Sequence, residues 1–286
     1  MSAQILDGLV TAKRIREEIK EESEQFHTQT GIRPHLAVFI AGEDPASVTY
    51  VSMKKKACVM ANMTSTVHEL PASVTQEQVL EIIDQLNADT GVHGIMVQHP
   101  VPKHLDELEI LARIDRKKDV DGISRESLGS LVTGDPMFIA ATPAGIIELL
   151  DRYKIPIEGK HAVVVGRSII LGKPVALYLL NRNATVTICH TRTKDLASMT
   201  RQADILVAAV GKPEVITGDM LKDDVVVIDA GYNRVEGRAK DVGDVEYESA
   251  ACKASWITPV PGGVGPMTIA MLLQNTLKAA KASVKR

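Results

Sequence analysis

The stretch HAVVVGRSIILGKP, His161–Pro174, places an apolar strand before a glycine, a loop, a second glycine and a lysine. A nucleoside-triphosphatase P-loop needs four residues between its glycines and a hydroxyl residue after the lysine. Here five residues separate Gly166 from Gly172, and Pro174 stands where the hydroxyl should be. The stretch therefore predicts a strand, a glycine turn and a helix that begins near Lys173, whose free N–H groups favour a dinucleotide phosphate.

Strand and helix patterns alternate on both sides of this stretch. Apolar runs occur at HLAVFIAG, TVHEL and HGIMVQ, and later at ATVTICH, ADILVAAVG and DVVVIDAGYN. The predicted helices cover residues 6–26, 46–63, 76–89, 105–114, 142–153, 173–182 and 267–282, and Thr142 is expected to cap the one at 142–153. This alternation predicts crossover units on mainly parallel sheets, with ligands beyond the carboxyl ends of the strands. The length of 286 residues favours two α/β domains over one large barrel.

Composition excludes several classes of protein. The net charge of −3 gives no general attraction to nucleic acid or to an anionic membrane, so neither is an expected partner. The N-terminus lacks a signal-peptide pattern and no apolar run approaches about 18 residues, which predicts no membrane span. Cys58, Cys189 and Cys252 lie far apart, which is typical of reduced thiols in a cytoplasmic protein. His99 and His104 lack a third ligand residue, so no metal site is predicted.

The basic segment SVTYVSMKKKAC differs from an ordinary solvated patch. In a helix, Ser47, Tyr50 and Lys54 fall at i, i+3 and i+7 and share one face. Lys55 and Lys56 are expected to be solvated. A lysine partly removed from water loses proton affinity and can act as a base or an acid near neutral pH. Lys54 is therefore the candidate catalytic residue of this segment.

Two further polar segments end at the rim where ligands are expected. Gln98 follows the strand GIMV, where its amide can orient an amine or a substrate carbonyl. The loop KKDVDGIS carries Asp119 and Asp121. A carboxylate here can cap a turn, or it can face a ring with adjacent N–H donors. The residues alone leave open which aspartate has which role.

The strand after the glycine turn favours NADP over NAD. An NAD-binding unit usually ends this strand with an Asp or Glu on the ribose 2′-hydroxyl. Here the strand ends in CHTRT, and no carboxylate precedes Asp195. Thr191 and Arg192, with Arg167 from the first turn, can instead bond to a 2′-phosphate. The other interpretation is that the two arginines are ordinary surface residues.

Eight blocks of the chain resemble a known family, in order and nearly end to end. They are DPAS...YVSMKKKA, GIMVQHPVP, KDVDGI, TPAGIIELL, VVVGRSIILGKPVA, ATVTICHTRT, ADILVAAVG and TPVPGGVGPMTIAMLL. The set resembles the bifunctional methylenetetrahydrofolate dehydrogenase/cyclohydrolase family. The resemblance implies a two-domain α/β fold: an N-terminal αβα folate domain at 1–139 plus 268–286, and a Rossmann-type NADP-binding domain at 140–267. It also implies a cleft between the domains, a final helix that packs back on the first domain, and a homodimer.

The resemblance further implies roles for individual residues. Lys54 matches the central catalytic group, Tyr50 a tyrosine that stacks near the pterin, and Gln98 and Asp121 the groups that hold the lysine and the ring. The implied catalytic residues are Lys54, Gln98, Tyr50 and Asp121, and the implied substrate-binding residues are Tyr50, Ser47, Gln98, Asp121, Pro261, Gly262 and Gly263. The implied cofactor-binding residues are Gly166, Arg167, Ser168, Gly172, His190, Thr191, Arg192, Thr193, Gly211, Gly265 and Thr268. The implied reactions are oxidation of 5,10-methylenetetrahydrofolate with NADP and hydrolysis of the methenyl product to 10-formyltetrahydrofolate.

Three positions depart from the commonest family pattern. His99 stands in place of a leucine, Ala141 in place of a cysteine, and RESLG in place of an asparagine–glycine block. These departures keep the proposed catalytic set and bear on the shape of the folate pocket and the ratio of the two activities. Two rival classes stay open: another Rossmann dehydrogenase, which would act on a small hydroxy acid through Lys54 and Asp121, and a catalytically silent protein that only binds folate or nucleotide.

Overall fold

The computed structural model describes residues 3–42 and 44–284, which form two compact units. The strands are β1 Gln4–Ile5, β2 His35–Ala41, β3 Thr64–Leu70, β4 Gly94–Val97, β5 His161–Val165, β6 Thr185–Cys189, β7 Ile205–Ala208, β8 Val225–Asp229 and β9 Ala254–Ile257. The α-helices are α1 Gly8–Thr30, α2 Pro45–Met60, α3 Gln76–Ala88, α4 Glu107–Arg113, α5 Arg125–Thr133, α6 Ala141–Arg152, α7 Gly172–Asn181, α8 Leu196–Thr200, α9 Tyr247–Ala251 and α10 Val264–Ser283.

The two units divide the chain discontinuously. One unit joins the described residues up to Lys13 to Thr142–Thr268, and the other joins Arg14–Ala141 to the residues from Ile269 onward. The start of the chain thus lies with the second half, whereas the family resemblance implied that it belongs with the first. We call the unit with Arg14–Ala141 the lysine unit and the unit with Thr142–Thr268 the glycine-turn unit, after Lys54 and the Gly166 turn.

The lysine unit has a parallel three-stranded sheet in the order β3-β2-β4. The central strand β2 and its neighbour β4 are almost wholly buried, as the continuous apolar runs predict. Helix α2 begins after Asp44, whose carboxylate accepts a 2.8 Å hydrogen bond from the Ser47 amide. Strand β4 and helix α2 therefore belong to the same unit, as the alternation of strands and helices predicts.

The last helix packs on this unit, as predicted. Asn275 on α10 donates hydrogen bonds to the main-chain oxygens of Val120 (2.8 Å) and Ile139 (3.1 Å). Further along the helix, Lys281 forms an ion pair with Glu22 of α1 at 2.5 Å. The C-terminal helix thus fixes the loop around Val120, which carries the two aspartates of KKDVDGIS.

The glycine-turn unit has a parallel six-stranded sheet in the order β1-β9-β8-β7-β5-β6. Strand β5, helix α7 and strand β6 form the predicted crossover unit. Gly166 has a φ of 133°, and a Cβ there would collide with the Ala209 carbonyl. A Cβ on Gly172 would collide with the carbonyl of Gly166. Both glycines are therefore required for the close approach of helix and sheet.

Several local predictions were wrong or incomplete. Helix α6 begins at Ala141, so Thr142 lies in its first turn rather than at its N-cap, and the Thr142 hydroxyl lies 3.0 Å from that of Thr268. Helix α5 was not predicted, and neither were β1 and β9, which pair with each other. The three cysteines are free thiols, as predicted. In the described part of the chain, no helix is both long and apolar enough to span a membrane.

Candidate active site

Lys54 is the buried member of the lysine run. The residue is only 8% exposed, whereas Lys55 and Lys56 are exposed. Its Nζ atom donates a 2.8 Å hydrogen bond to Oε1 of Gln98. Burial lowers the pKa of the Lys54 ammonium, and the nearby Asp121 carboxyl partly opposes this effect. The neutral amine of Lys54 is therefore more accessible near neutral pH than that of a solvated lysine.

The orientation of the Gln98 amide is fixed by its own neighbour. Gln98 follows β4, and its main-chain N–H donates to the Phe39 oxygen at 2.8 Å. Its side-chain Nε2 donates to the His99 oxygen at 2.8 Å. Since the nitrogen is held by a carbonyl, the amide oxygen is the atom that faces Lys54. The same His99 oxygen lies 3.5 Å from the Ser47 hydroxyl.

Asp119 and Asp121 have different environments. Asp119 is 1% exposed, and its carboxylate accepts hydrogen bonds from Gly122 N (3.1 Å), Ser124 N (3.0 Å) and Ser127 Oγ (2.5 Å). It therefore shapes the loop and the start of α5. Asp121 is half-buried, and burial raises the pKa of its carboxyl, with Lys54 acting in the opposite direction.

Ser47 and Tyr50 occupy the first turns of the helix that carries Lys54. Ser47 is buried, whereas Tyr50 is 41% exposed. The lysine unit therefore brings together Lys54, Gln98 and Asp121, and the exposed Tyr50 lies about one helical turn before Lys54 on α2. This arrangement combines a polarised amine, a neutral acceptor and a carboxyl group, which suits proton transfer next to a polar ring.

The predicted cofactor residues of the first turn lie in the glycine-turn unit. The Ser168 hydroxyl accepts a hydrogen bond from Gly172 N at 3.2 Å, and the Ser168 oxygen accepts one from Lys173 N at 3.0 Å. This turn leads into α7, which begins at Gly172. Arg167 is exposed beside it. The two glycines therefore allow the tight turn, and the N-terminus of α7 that follows it is where a dinucleotide phosphate is predicted to bind.

The segment after β6 forms a compact turn next to this site. Gly166 N donates to the Cys189 oxygen at 2.9 Å, so the two loops are adjacent. His190 N donates to the Thr193 hydroxyl and Thr193 N to the His190 oxygen, both at 2.8 Å. Arg192 is exposed. Asp195 caps α8, with Oδ1 accepting a 3.1 Å hydrogen bond from Ser198 N.

Two buried carboxylates of this unit were not predicted from the sequence. Asp244 is fully buried and accepts hydrogen bonds from three successive amides, those of Val210 (2.6 Å), Gly211 (2.9 Å) and Lys212 (3.0 Å). Burial raises the pKa of the neighbouring Asp229 to about 6. Asp229 could have been found from the sequence, because it is an acidic residue at the end of the apolar run VVVID. Asp244 therefore fixes the loop that carries the predicted cofactor residue Gly211.

The remaining predicted residues belong to the loop before α10 and to its first turns. The loop residues are Pro261, Gly262 and Gly263, and the helix residues are Gly265 and Thr268. The Gly262 oxygen accepts a 2.9 Å hydrogen bond from Leu9 N, and a Cβ on Gly8 would collide with Gly263. All five lie in the glycine-turn unit. Their roles in substrate and cofactor binding stay predictions.

Comparisons with known proteins divide the chain into two family domains, whose bounds differ from those of the two units at both ends of the chain. Residues 6–121 match the family model described as tetrahydrofolate dehydrogenase/cyclohydrolase, catalytic domain, and residues 140–284 match its NAD(P)-binding domain. The chain is 58% identical over 281 residues to the Bifunctional protein FolD of Moorella thermoacetica, with 98% of this chain and 100% of that protein covered.

Two solved structures extend the comparison to the fold. The bifunctional FolD enzyme of Campylobacter jejuni matches with a TM-score of 0.96 and 48% identity, over 98% of this chain and 99% of that one. FolD of Trypanosoma brucei, complexed with NADP cofactor and inhibitor, matches with a TM-score of 0.96 and 39% identity over 100% of both chains. These matches confirm the resemblance: the chain belongs to the tetrahydrofolate dehydrogenase/cyclohydrolase family.

Proposed function

We propose that the chain oxidises 5,10-methylenetetrahydrofolate to 5,10-methenyltetrahydrofolate with NADP and hydrolyses the product to 10-formyltetrahydrofolate. The observation that carries this proposal is the buried Lys54, hydrogen-bonded to Gln98 and electrostatically coupled to Asp121. Family membership supports both activities. The alternative of a dehydrogenase for small hydroxy acids is not favoured, because the family match extends over both units.

The oxidation step requires little acid–base catalysis by the protein. The lone pair of a substrate nitrogen stabilises the cation that remains after hydride loss, so no protein base is strictly needed. NADP, when bound, accepts the hydride. The chain must bind and orient the substrate. The exposed ring of Tyr50 is suited to stacking on the pterin, and the carboxylate of Asp121 is suited to accepting hydrogen bonds from the ring amine and N–H groups.

The hydrolysis step requires proton transfers, and Lys54 is suited to them. Water adds to the cyclic amidinium, and a proton must move before the ring opens. Because burial lowers the pKa of Lys54, its amine can take up a proton and return it near neutral pH. The amide oxygen of Gln98, 2.8 Å from Nζ, accepts one N–H of the lysine and limits its direction. Gln98 thus orients the group that moves the proton.

The glycine-turn unit is the NAD(P)-binding domain of the family, and its residues fit NADP. The phosphate turn is built on Gly166 and Gly172. In the loop after β6, Arg192 is available for a 2′-phosphate, together with Arg167. The only nearby carboxylate of the predicted stretch, Asp195, caps α8. We therefore infer a preference for NADP over NAD.

The proposed function is tested with purified protein and both cofactors. Methylenetetrahydrofolate is mixed with NADP, and NADPH, methenyltetrahydrofolate and 10-formyltetrahydrofolate are followed together. A panel of small hydroxy acids serves as the comparison. The proposal expects both folate products and no oxidation of the hydroxy acids. A protein that binds tetrahydrofolate and yields no NADPH in a single turnover would instead be the silent folate binder.

A homodimer is proposed as the working state. Helix α2 exposes large apolar residues, among them Val48, Met53, Val59 (67% exposed) and Met60 (74% exposed). Strand β3 is an edge of its sheet, with unpaired backbone groups on its outer side. Both features support association with a second copy. Sedimentation at micromolar concentration should give twice the monomer mass, and Val59→Asp should shift the protein towards the monomer.

A cytoplasmic location is proposed on chemical grounds. The three cysteines are free, and Cys252 is an exposed thiol. An exposed thiol fits a reducing compartment better than an oxidising one. Fractionation of cells that produce the protein should recover it with cytoplasmic enzymes, and recovery outside that fraction would contradict the proposal.

A further inference from the structure

Asp244 is a fully buried carboxylate that accepts hydrogen bonds from two different loops. Its Oδ2 atom accepts from the amides of Val210 (2.6 Å) and Gly211 (2.9 Å). Its Oδ1 atom accepts from the Lys212 amide (3.0 Å) and from the Asn233 side chain (2.9 Å). A carboxylate without contact to water needs such donors, because burial of an unsatisfied charge is costly. The four bonds therefore fix both loops relative to Asp244.

The first of these loops follows β7 at the carboxyl end of the sheet. It touches the phosphate turn: Ala209 N donates to the Val165 oxygen at 2.8 Å, and a Cβ on Gly166 would lie 2.1 Å from the Ala209 oxygen. Gly211 is exposed and has a φ of 65°, in the left-handed region. Successive amides that turn towards one point form a concave site for an anion, and here the anion is Asp244.

The second loop follows β8, the strand next to β7 in the sheet. Its residue Gly231 lies so close to Asp244 that a Cβ there would be 2.3 Å from the carboxyl group. Asp229, the last residue of β8, accepts hydrogen bonds from the amides of Gly231 (2.9 Å) and Asp244 (3.0 Å). Asp244 thus connects the end of β8 to the loop after β7. Ligands of open parallel sheets bind beyond these carboxyl ends.

We propose that Asp244 is a positioning residue for the cofactor: its carboxylate holds the loops after β7 and β8 in the conformation that binds the dinucleotide. Asp244 is fully buried, so it acts through the loops and not by contact with the ligand. Neither loop carries Arg167 or Arg192, the residues proposed for the 2′-phosphate, so the effect should be the same for NADP and NAD. This inference rests on the proposed function, which names the cofactor.

Three variants separate positioning from stability. Asp244→Asn keeps the shape and replaces one acceptor oxygen with a donor that faces backbone N–H groups. Asn233→Ala removes one donor and leaves the carboxylate in place. Asp204→Asn is the matched control, because this carboxylate belongs to the same unit and accepts from His161 N (2.8 Å) and Lys222 Nζ (2.6 Å). It lies at the amino ends of β5 and β7, the edge of the sheet away from the two loops.

The experiment measures the dissociation constant for NADP by calorimetry, the KM values for NADP, NAD and methylenetetrahydrofolate, and the unfolding temperature of each variant. We expect Asp244→Asn to raise the NADP dissociation constant about tenfold or more, because bonds to a charged acceptor are lost. The KM values for NADP and NAD should rise by the same factor, while the KM for methylenetetrahydrofolate changes less than about twofold. Asn233→Ala should raise the NADP dissociation constant about threefold. Asp204→Asn should lower the unfolding temperature and keep the NADP dissociation constant within about twofold.

The outcomes separate this inference from the proposed function. If the unmodified protein binds neither NADP nor NAD, the proposed function fails. If it binds NADP while a folded Asp244→Asn keeps the dissociation constant of the unmodified protein, Asp244 does not position the cofactor. An equal loss of NADP affinity in Asp204→Asn would trace the effect to stability and overturn the inference. Should Asp244→Asn fail to fold, as shown by its thermal unfolding, Asn233→Ala carries the test, and unchanged NADP affinity in that variant overturns the inference.

Discussion

Lys54 and Gln98 lie 44 positions apart in the chain, yet Nζ of the lysine is 2.8 Å from Oε1 of the glutamine. Helix α2 supplies the lysine, and the residue after β4 supplies the glutamine. The carbonyl of His99 holds the other end of the Gln98 amide, so the acceptor direction is set before any ligand binds. The pair is therefore preorganised, which is what a proton-transfer group requires.

The first prediction concerns Gln98→Met, a substitution that removes this acceptor. Gln98→Met keeps a side chain of similar length and leaves the Lys54 ammonium without its hydrogen bond. Since a bond to a charged group contributes about 1.5–3 kcal/mol, the pKa of Lys54 should fall further. The low-pH limb of the cyclohydrolase rate profile should then move to lower pH, and the maximal rate should drop at least about tenfold. Gln85→Met, on the exposed side of α3, is the control, and equal pH profiles for the two variants would contradict the role of Gln98.

The second prediction separates the two aspartates of the KKDVDGIS loop. Asp121→Asn turns an acceptor oxygen into a donor that faces the donors of the pterin. Folate affinity and both activities should fall together, while NADP affinity and the unfolding temperature stay nearly unchanged. Asp119→Asn, by contrast, disturbs a buried carboxylate with three hydrogen bonds and should reduce the free energy of unfolding by about 1–3 kcal/mol. Loss of NADP affinity in Asp121→Asn would make that residue structural.

The third prediction concerns the choice of cofactor. Arg167→Ala and Arg192→Ala should each weaken NADP binding by about 1.5–3 kcal/mol, because a charge-assisted bond to the 2′-phosphate is lost. NAD lacks this phosphate, so its KM in the same variants is the internal control. Steady-state kinetics with both cofactors provides the measurement. Equal efficiency of the unmodified protein with NAD and NADP would show that the arginines are ordinary surface residues.

The fourth prediction is a pH dependence of stability that comes from Asp229. Its pKa is raised to about 6 in the folded protein, so the folded state keeps a proton that the unfolded chain has already released between about pH 4 and 6. Its contribution to the free energy of unfolding therefore falls as pH rises through this range. In urea denaturation, the difference between the unmodified protein and Asp229→Asn should shrink by about 2 kcal/mol between pH 4.5 and 7. A difference that stays constant or grows with pH would contradict this assignment.

The sequence predicts those elements whose signal is local. Buried parallel strands such as β2 and β5 are near-continuous apolar runs, and the second glycine of the turn marks the start of α7 in the sequence. Helix α5 was missed because it is nine residues long and Gly129 interrupts its pattern. Strand β1 has only two residues and forms the sheet edge by pairing with β9, which is distant from it in the sequence, and β9 itself has only four residues and pairs also with β8.

The candidate site shows the same limit. The helical spacing of Ser47, Tyr50 and Lys54 predicts a common face, and burial then distinguishes Lys54 from the other lysines of the run. No spacing distinguishes Asp119 from Asp121, because their difference depends on hydrogen bonds from α5, a helix that was itself not predicted. The hydrogen-bond partner of His99 could not be predicted either, because nothing in the sequence distinguishes Glu107 from the other acidic residues near α4.

A comparison of Lys54→Met with Lys55→Met tests most directly whether Lys54 transfers the proton in the hydrolysis step. Both variants keep the apolar stem and remove an ammonium, but only Lys54 is buried against Gln98. Methenyl absorbance and 10-formyltetrahydrofolate are followed in the same reaction. We expect Lys54→Met to lose cyclohydrolase activity by about a hundredfold or more, the range for loss of a general acid–base. Its dehydrogenase activity should fall less, so that methenyltetrahydrofolate accumulates, and Lys55→Met should behave as the unmodified protein does. Near-normal formation of 10-formyltetrahydrofolate by Lys54→Met would contradict the catalytic role of Lys54 and assign the proton transfer to another residue.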